Sequence, residues 1–230
     1  MDAGGQNGVG PSRPSPLVRR RISHRGARCR ERLSGQPRAQ GDTSFVKAQC
    51  HPTQMSQQVY RTPRLCARHI TASDVDAMVA VYGDPVVVRY VGDRQPLDRA
   101  RCEQWVEVTL RNYATRGYGM VALVEQSTGA IVGFCGLVHP GGQAEPEIKY
   151  ALHRDVWGHG FATEAATGML GYARQMGLPE VIATTDPENE ASHRVLLKAG
   201  MRRAELRPNA DGSFTQMFGW SPALPVSGEP

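Results

Sequence analysis

Residues 157–165 read Trp157-Gly158-His159-Gly160-Phe161-Ala162-Thr163-Glu164-Ala165. Two glycines stand before a run in which Phe161, Ala165, Ala166, Met169, Leu170, Ala173 and Met176 recur at helical spacing, and Gly177 and Pro179 end it. Upstream, Glu147–His153 (EIKYALH) reads as a strand. In a strand–glycine turn–helix, backbone N–H groups point together into the helix mouth, where the helix dipole is positive. The turn therefore predicts an anion site suited to a phosphate or pyrophosphate, with an ordinary tight turn as the bland alternative. Two better-known glycine motifs are excluded. No Gly-Lys-Ser/Thr follows for a P-loop, and the third glycine of a dinucleotide fingerprint is missing.

Working outward, Arg64–Ile70 (RLCARHI) reads as a short strand, and Ser73 as the N-cap of a helix over Asp74–Tyr82 with an acidic first turn. Pro85 interrupts the chain. A second helix is predicted over Leu97–Arg116, with Trp105, Val108 and Leu110 facing inward. Gly119–Glu125 and Ala130–Val138 read as two strands joined by the hairpin signal Gln126-Ser127-Thr128-Gly129. After the Pro140-Gly141-Gly142 loop and the central motif, a strand is expected at Val181–Thr184. A helix over Asn189–Ala199 closed by Gly200 follows, then a last strand at Phe214–Trp220. Hairpins first and a βαβ-like unit second predict the α/β (α+β) class, a mixed sheet with helices on its faces.

Composition limits the function classes. Hydrophobic residues make up 40% and charged residues 21% of the 230, which fits a globular chain and excludes collagen-like or coiled-coil protein. There is no run of roughly 18 apolar residues to span a bilayer, and the N-terminus lacks the apolar stretch of a secretory signal. Cys29, Cys50, Cys66, Cys102 and Cys135 are scattered without metal-like spacing. That predicts reduced thiols in the cytoplasm, with no disulfide framework and no metal. The net charge of +5 is uneven: residues 1–60 hold ten Lys+Arg against three Asp+Glu, and the remainder holds 17 against 19. The nearly neutral body gives no basic face for nucleic acid.

Residues 1–58, rich in Gly, Pro, Ser and Arg with Phe45 as their one aromatic, read as a disordered basic extension. A functionless extension with Met55 as the natural start, a basic nucleic-acid arm and an Arg-rich transit peptide are its three readings. The folded domain is expected over 59–222, and 223–230 as a short flexible end.

Three segments together resemble a known family. Pro146–Leu152 (PEIKYAL), Trp157–Ala165 (WGHGFATEA) and Asn189–Met201 (NEASHRVLLKAGM) are similar to GCN5-related N-acetyltransferases, the GNAT superfamily, and most to its RimJ/RimL-like ribosomal-protein-alanine branch. The likeness runs over roughly Arg61–Trp220, including Thr62-Pro63-Arg64-Leu65 and the arm Gly129–Gly136 (GAIVGFCG). It implies a mostly antiparallel sheet flanked by helices, with a V-shaped splay between two central strands.

It also implies acetyl-CoA as co-substrate and transfer to an amine, either a protein N-terminal α-amine or a small molecule. The family's pyrophosphate loop maps onto Trp157, Gly158, His159, Gly160, Phe161, Ala162 and Thr163, with Trp157 in place of the family's Arg or Gln. Tyr150, Ala151 and Leu152 would pair with the pantetheine arm, the Leu152 amide holding the thioester carbonyl, and Asn189 would contact the pantetheine. Glu147 is the candidate base, or else an exposed strand carboxylate paired with Lys149. Seven residues beyond Asn189, where many members carry a proton-donating tyrosine, stands Leu196. Ser192 is the substitute donor, or else a capping or cofactor hydrogen bond. That departure leaves open a weak or inactive acyl-CoA-binding or sensing module. His139, His153 and His159 read as loop histidines, and Cys135 as core.

Overall fold

A computed structural model describes residues 58–222; the expectations for 1–57 and 223–230 lie outside them. Eight strands form one sheet: β1 Gln58–Arg61, β2 Leu65–His69, β3 Met120–Glu125, β4 Ile131–Val138, β5 Glu147–Leu152, β6 Val181–Thr185, β7 Arg202–Pro208 and β8 Phe214–Trp220, in the order β1-β2-β3-β4-β5-β6-β8-β7. Four α-helices cover it: α1 Val75–Tyr82, α2 Arg99–Arg116, α3 Phe161–Gln175 and α4 Glu190–Lys198. Every pairing is antiparallel except β5–β6.

Strand alternation splits the core into two layers. Val121, Leu123, Cys135, Ile148 and Leu152 pack beneath Phe161, Ala165, Met169 and Leu170 of α3 and Leu196 of α4. Ala122, Phe134 and Ala151 face the other way, against Met78, Val81 and Tyr82 of α1 and Cys102 and Val106 of α2. Phe134 and Leu123 are fully buried, each worth about 2–3 kcal/mol over exposure. Close approach of β4 to β5 demands glycine at 133, where a Cβ would lie 2.5 Å from the Ala151 carbonyl oxygen and 2.7 Å from the Leu152 Cα.

β5 is paired with β4 from Val138↔Glu147 to Gly133↔Leu152, but with β6 only at Glu147↔Ile182. Beyond that point β6 follows β8, so β5 and β6 part as a V. The parting begins at the next rung. After the Ile182 amide bonds the Pro146 carbonyl at 2.9 Å, a parallel ladder would send the Thr184 amide to Ile148. It bonds the Glu147 carboxylate instead, at 3.1 Å. A side chain has taken the place of a strand rung.

Several expectations are corrected. Trp105, Val108 and Leu110 are 36%, 50% and 44% exposed, and Cys102, Val106 and Thr109 face the core instead. α2 is polar nearly all round, so its few apolar residues did not define a face. Ser73 is not the helix cap. A 3-10 turn, Ala72–Asp74, precedes α1, and the Asp74 carboxylate accepts from the Thr71 amide and hydroxyl at 2.8 and 3.1 Å. Met176 is 41% exposed, just past the end of α3. β1 and β7 were not anticipated. β1 is four residues long, and β7 is exposed along its whole length, leaving no alternation to read.

Candidate active site

The segment between β5 and α3 is built to present amides. A 3-10 turn, Arg154–Val156, leads to Trp157, whose indole N–H donates to the Leu152 carbonyl at 2.9 Å and ties the loop to the strand end. Gly158 and Gly160 both hold left-handed φ, +79° and +81°, a conformation that strains any residue with a Cβ. The first intrahelical bond of α3 runs from the Glu164 amide to the Gly160 carbonyl at 3.1 Å. The amides of Phe161, Ala162 and Thr163 precede it and have no carbonyl one turn back, so they face outward at the positive end of a 15-residue helix. An anion of pyrophosphate type fits this cradle.

Arg64 braces the cradle from β2's approach. Its guanidinium donates to the His159 carbonyl at 2.9 Å, lies 4.2 Å from the Phe161 ring centroid, and ion-pairs with Glu164 at 2.6 Å. Glu164 also accepts from the Thr62 hydroxyl at 2.6 Å and the Arg64 amide at 2.8 Å. Burial pushes the Glu164 carboxyl up, but these donors outweigh it and hold it below the usual carboxylate range.

The V opens beside the cradle, and the two faces of β5 bring different chemistry to it. Glu147 and Lys149 share Ala151's side, toward α1 and α2. Glu147 is 2% exposed; its carboxylate takes the Thr184 amide, the Thr184 hydroxyl and the Lys149 ammonium, and Lys149 also reaches the Thr184 hydroxyl at 2.9 Å. On the opposite face, toward α3 and α4, the Tyr150 hydroxyl meets the Ser192 hydroxyl at 2.7 Å. The His153 amide bonds Val132 of β4 at 2.8 Å, so alternation turns the Tyr150 and Leu152 amides away from β4, into the gap.

The profile of the acetyltransferase (GNAT) domain matches residues 64–202, spanning the cradle, both arms of the V and α4. The chain belongs to the GNAT acetyltransferase family. YkkB of Bacillus subtilis is 36% identical over 128 residues, covering 53% of this chain and 71% of YkkB. The uncharacterized N-acetyltransferase p20 of Bacillus licheniformis is 28% identical over 143 residues, 59% of this chain and 77% of p20. Among solved structures, yncA of Salmonella typhimurium with its cofactor acetyl-CoA superposes with a TM-score of 0.57 at 16% identity, over 70% or more of both chains (72% and 98%). The chain thus carries a GNAT acetyltransferase domain, on the fold expected from sequence.

Other residues singled out in the sequence fall into place around the GNAT site. Asn189 caps α4, its side-chain oxygen accepting from the Ser192 amide at 3.1 Å. Glu147 is paired with Lys149 but is buried, not exposed as the ion-pair reading had it. Leu196 is a core residue at 1% exposure. Cys135 is fully buried, and burial pushes its thiol up to about 12, which makes it inert. His139 donates from Nδ1 to the Gln143 carbonyl at 2.9 Å, and its Nε2 meets the Tyr118 hydroxyl at 2.8 Å. His153 Nδ1 accepts from the Asp155 amide at 3.4 Å.

Sequence reasoning missed three features. Arg64 and Thr184 act through contacts 37 to 100 residues away along the chain, for which no local signal exists. The third is the connection between α1 and α2. It is pinned to the end of each arm of the V, by Asp84–Arg154 at 3.9 Å beyond β5 and Arg94–Asp186 at 2.6 Å beyond β6. A cavity of about 230 Å³ lies under this connection, lined by Tyr82, Leu97 and Trp105 with Asp93 and Arg101 among the polar residues. Arg94 holds a left-handed φ of +63°, the one non-glycine to do so among the described residues, a strained position of the sort found at ligand clamps.

Proposed function

We propose that the protein transfers the acetyl group of acetyl-CoA directly to a primary amine, with a protein N-terminal α-amine or a small-molecule amine as acceptor. The RimJ/RimL-like branch, suggested by the three sequence segments, favours the first. The observation that carries the reading is the amide cradle at the mouth of α3 opening beside the V of β5 and β6. The amides of residues 158–163 bind the pyrophosphate, and Trp157, whose own amide bonds the Arg154 carbonyl, ties down the loop. The exposed edge of Tyr150–Leu152 pairs with the pantetheine arm, and the Leu152 amide steadies the oxygen of the attacked carbonyl. Asn189 holds the α4 terminus against that arm.

The amine has to shed a proton to attack. Glu147 lies on the acceptor face and takes that proton directly or through water. Ser192, on the other face, hydrogen-bonds the sulfur as the C–S bond breaks. The fold is the domain of residues 59–222, acting in the cytoplasm, with 1–58 as an extension not needed for turnover. A second reading, an inactive acyl-CoA-binding module, is favoured by Leu196 in place of a proton-donating tyrosine.

Release of free thiol from acetyl-CoA tests both. It is screened with peptides beginning Ala, Ser or Thr, with polyamines and with aminoglycosides. Acceptor-dependent release establishes the transferase and names its acceptor class. Tight acetyl-CoA binding with no turnover on any acceptor would put the binding module first.

A further inference from the structure

The chain lacks a tyrosine on α4, but one on β5 reaches that helix. Tyr150 leaves the strand on the face that carries α3 and α4, and its hydroxyl lies 2.7 Å from the Ser192 Oγ and 3.4 Å from the Ser192 carbonyl. This bond crosses the V from the β5 arm to the helix that follows the β6 arm, on the side away from Glu147 and Lys149. Both hydroxyls stand next to the strand edge proposed to bind pantetheine.

From this geometry we infer that Tyr150 is a positioning residue for the leaving group: it donates to Ser192 Oγ and so turns the Ser192 O–H toward the CoA sulfur. The inference rests on the acetyltransferase reading and deepens it. The amine's lone pair forms the new C–N bond, the C–S bond breaks, and its electron pair stays on sulfur. The Ser192 O–H hydrogen-bonds that thiolate without giving up its proton. The amine's surplus proton leaves through Glu147 or water, and sulfur takes one from solvent when CoA departs.

Tyr150 suits a role that calls for a donor that stays protonated. Burial pushes its phenol well above the ordinary tyrosine range, although the Ser192 bond pulls the other way. The titratable neighbour facing it from the sheet is the buried thiol of Cys135 on β4. Lys149 and Glu147 occupy the opposite face of β5. On α4, His193 is turned to Thr185, Asp186 and Arg203 at 2.9–3.1 Å. No ion pair competes for either hydroxyl among the described residues.

A tie between strand and helix would need no contact with sulfur, so the test reads the sulfur. The thiolate absorbance of CoA bound to the full chain is titrated against pH, beside calorimetric affinity for acetyl-CoA. Tyr150→Phe should raise the pKa of the bound thiol by about one unit and lower kcat about tenfold, with acetyl-CoA affinity changed less than about twofold. Ser192→Ala should raise it at least as far, and the double variant no further. A bound-thiol pKa unmoved by Tyr150→Phe overturns the inference. So does Ser192→Ala leaving it unmoved while Tyr150→Phe shifts it, for then the phenol itself meets the sulfur. The acetyltransferase reading fails separately, as a wild-type protein that shifts the thiol but turns over no acceptor.

Discussion

One strand, β5, presents two chemistries. On the α1/α2 face it carries charge: Glu147 buried under Lys149 and Thr184. On the α3/α4 face it carries neutral hydroxyls, Tyr150 against Ser192. The two faces need different things. In the proposed transfer, the face that takes a proton from the amine needs a carboxylate within reach. A site that receives a departing thiolate needs hydrogen-bond donors that do not themselves ionise. In the proposed reaction the alternation of side chains along a strand supplies both within four residues, at the gap where β6 parts from β5 and Glu147 takes the Thr184 amide.

The sharpest way to break this contrast is Glu147→Gln. Loss of a catalytic base is worth about 10²–10⁴-fold in kcat/KM, and the acid limb of the pH–rate profile should vanish with it while acetyl-CoA affinity is kept. If affinity collapses and the pH profile keeps its shape, the carboxylate serves only as the missing rung of the sheet.

Asp74 supplies a buried carboxylate with no part in the site. It is 4% exposed and forked with Arg68 at 2.8 Å on both oxygens. Burial raises its pKa, but Arg68 and Thr71 lower it more, so the carboxyl ionises below its ordinary range. Asp74→Asn should cost about 3 kcal/mol at neutral pH. The stabilisation is complete above the ordinary carboxylate pKa of about 4 and is lost as pH falls through Asp74's own lower value. Denaturant midpoints of wild type and variant should therefore converge in acid, with turnover per folded molecule unchanged at neutral pH.

Gly160→Asp tests the cradle. A Cβ at φ +81° and a negative charge at the helix mouth should weaken acetyl-CoA about 30-fold in a calorimetric titration. Unchanged affinity would move the pyrophosphate elsewhere. The smallest effect is expected on the outer side of α2: Val108→Ser, at a 50% exposed position, should shift stability by less than about 0.5 kcal/mol and leave turnover alone.

How much of this was legible follows from the range of each interaction. The β5–α3 turn declared itself because glycine conformation and helix periodicity are local. β2, β3, β4, β5, β6 and β8 were readable because burial concentrates apolar residues in short runs bounded by turn signals, β3 and β4 being buried on both faces. β7 was not, since both its faces are wet and only its pairing with β8 makes it a strand. α2 was placed correctly but its face was misread, because the stripe Cys102, Val106 and Thr109 is short and weakly apolar. At the site, residue types were in view, yet contacts were not. That Glu147 replaces a rung to Thr184, and that Tyr150 answers Ser192, depends on the distance between strands diverging in space.

The pinned connection between α1 and α2 has a kinetic meaning. Through Arg94–Asp186 and Asp84–Arg154 it spans the open end of the V on the charged face, and in the proposed reaction it separates the acceptor's approach from that of the pantetheine arm. Neither has to leave before the other arrives. Initial-rate lines for the two substrates should then intersect in the manner of a ternary complex, with CoA competing against acetyl-CoA but not against the amine.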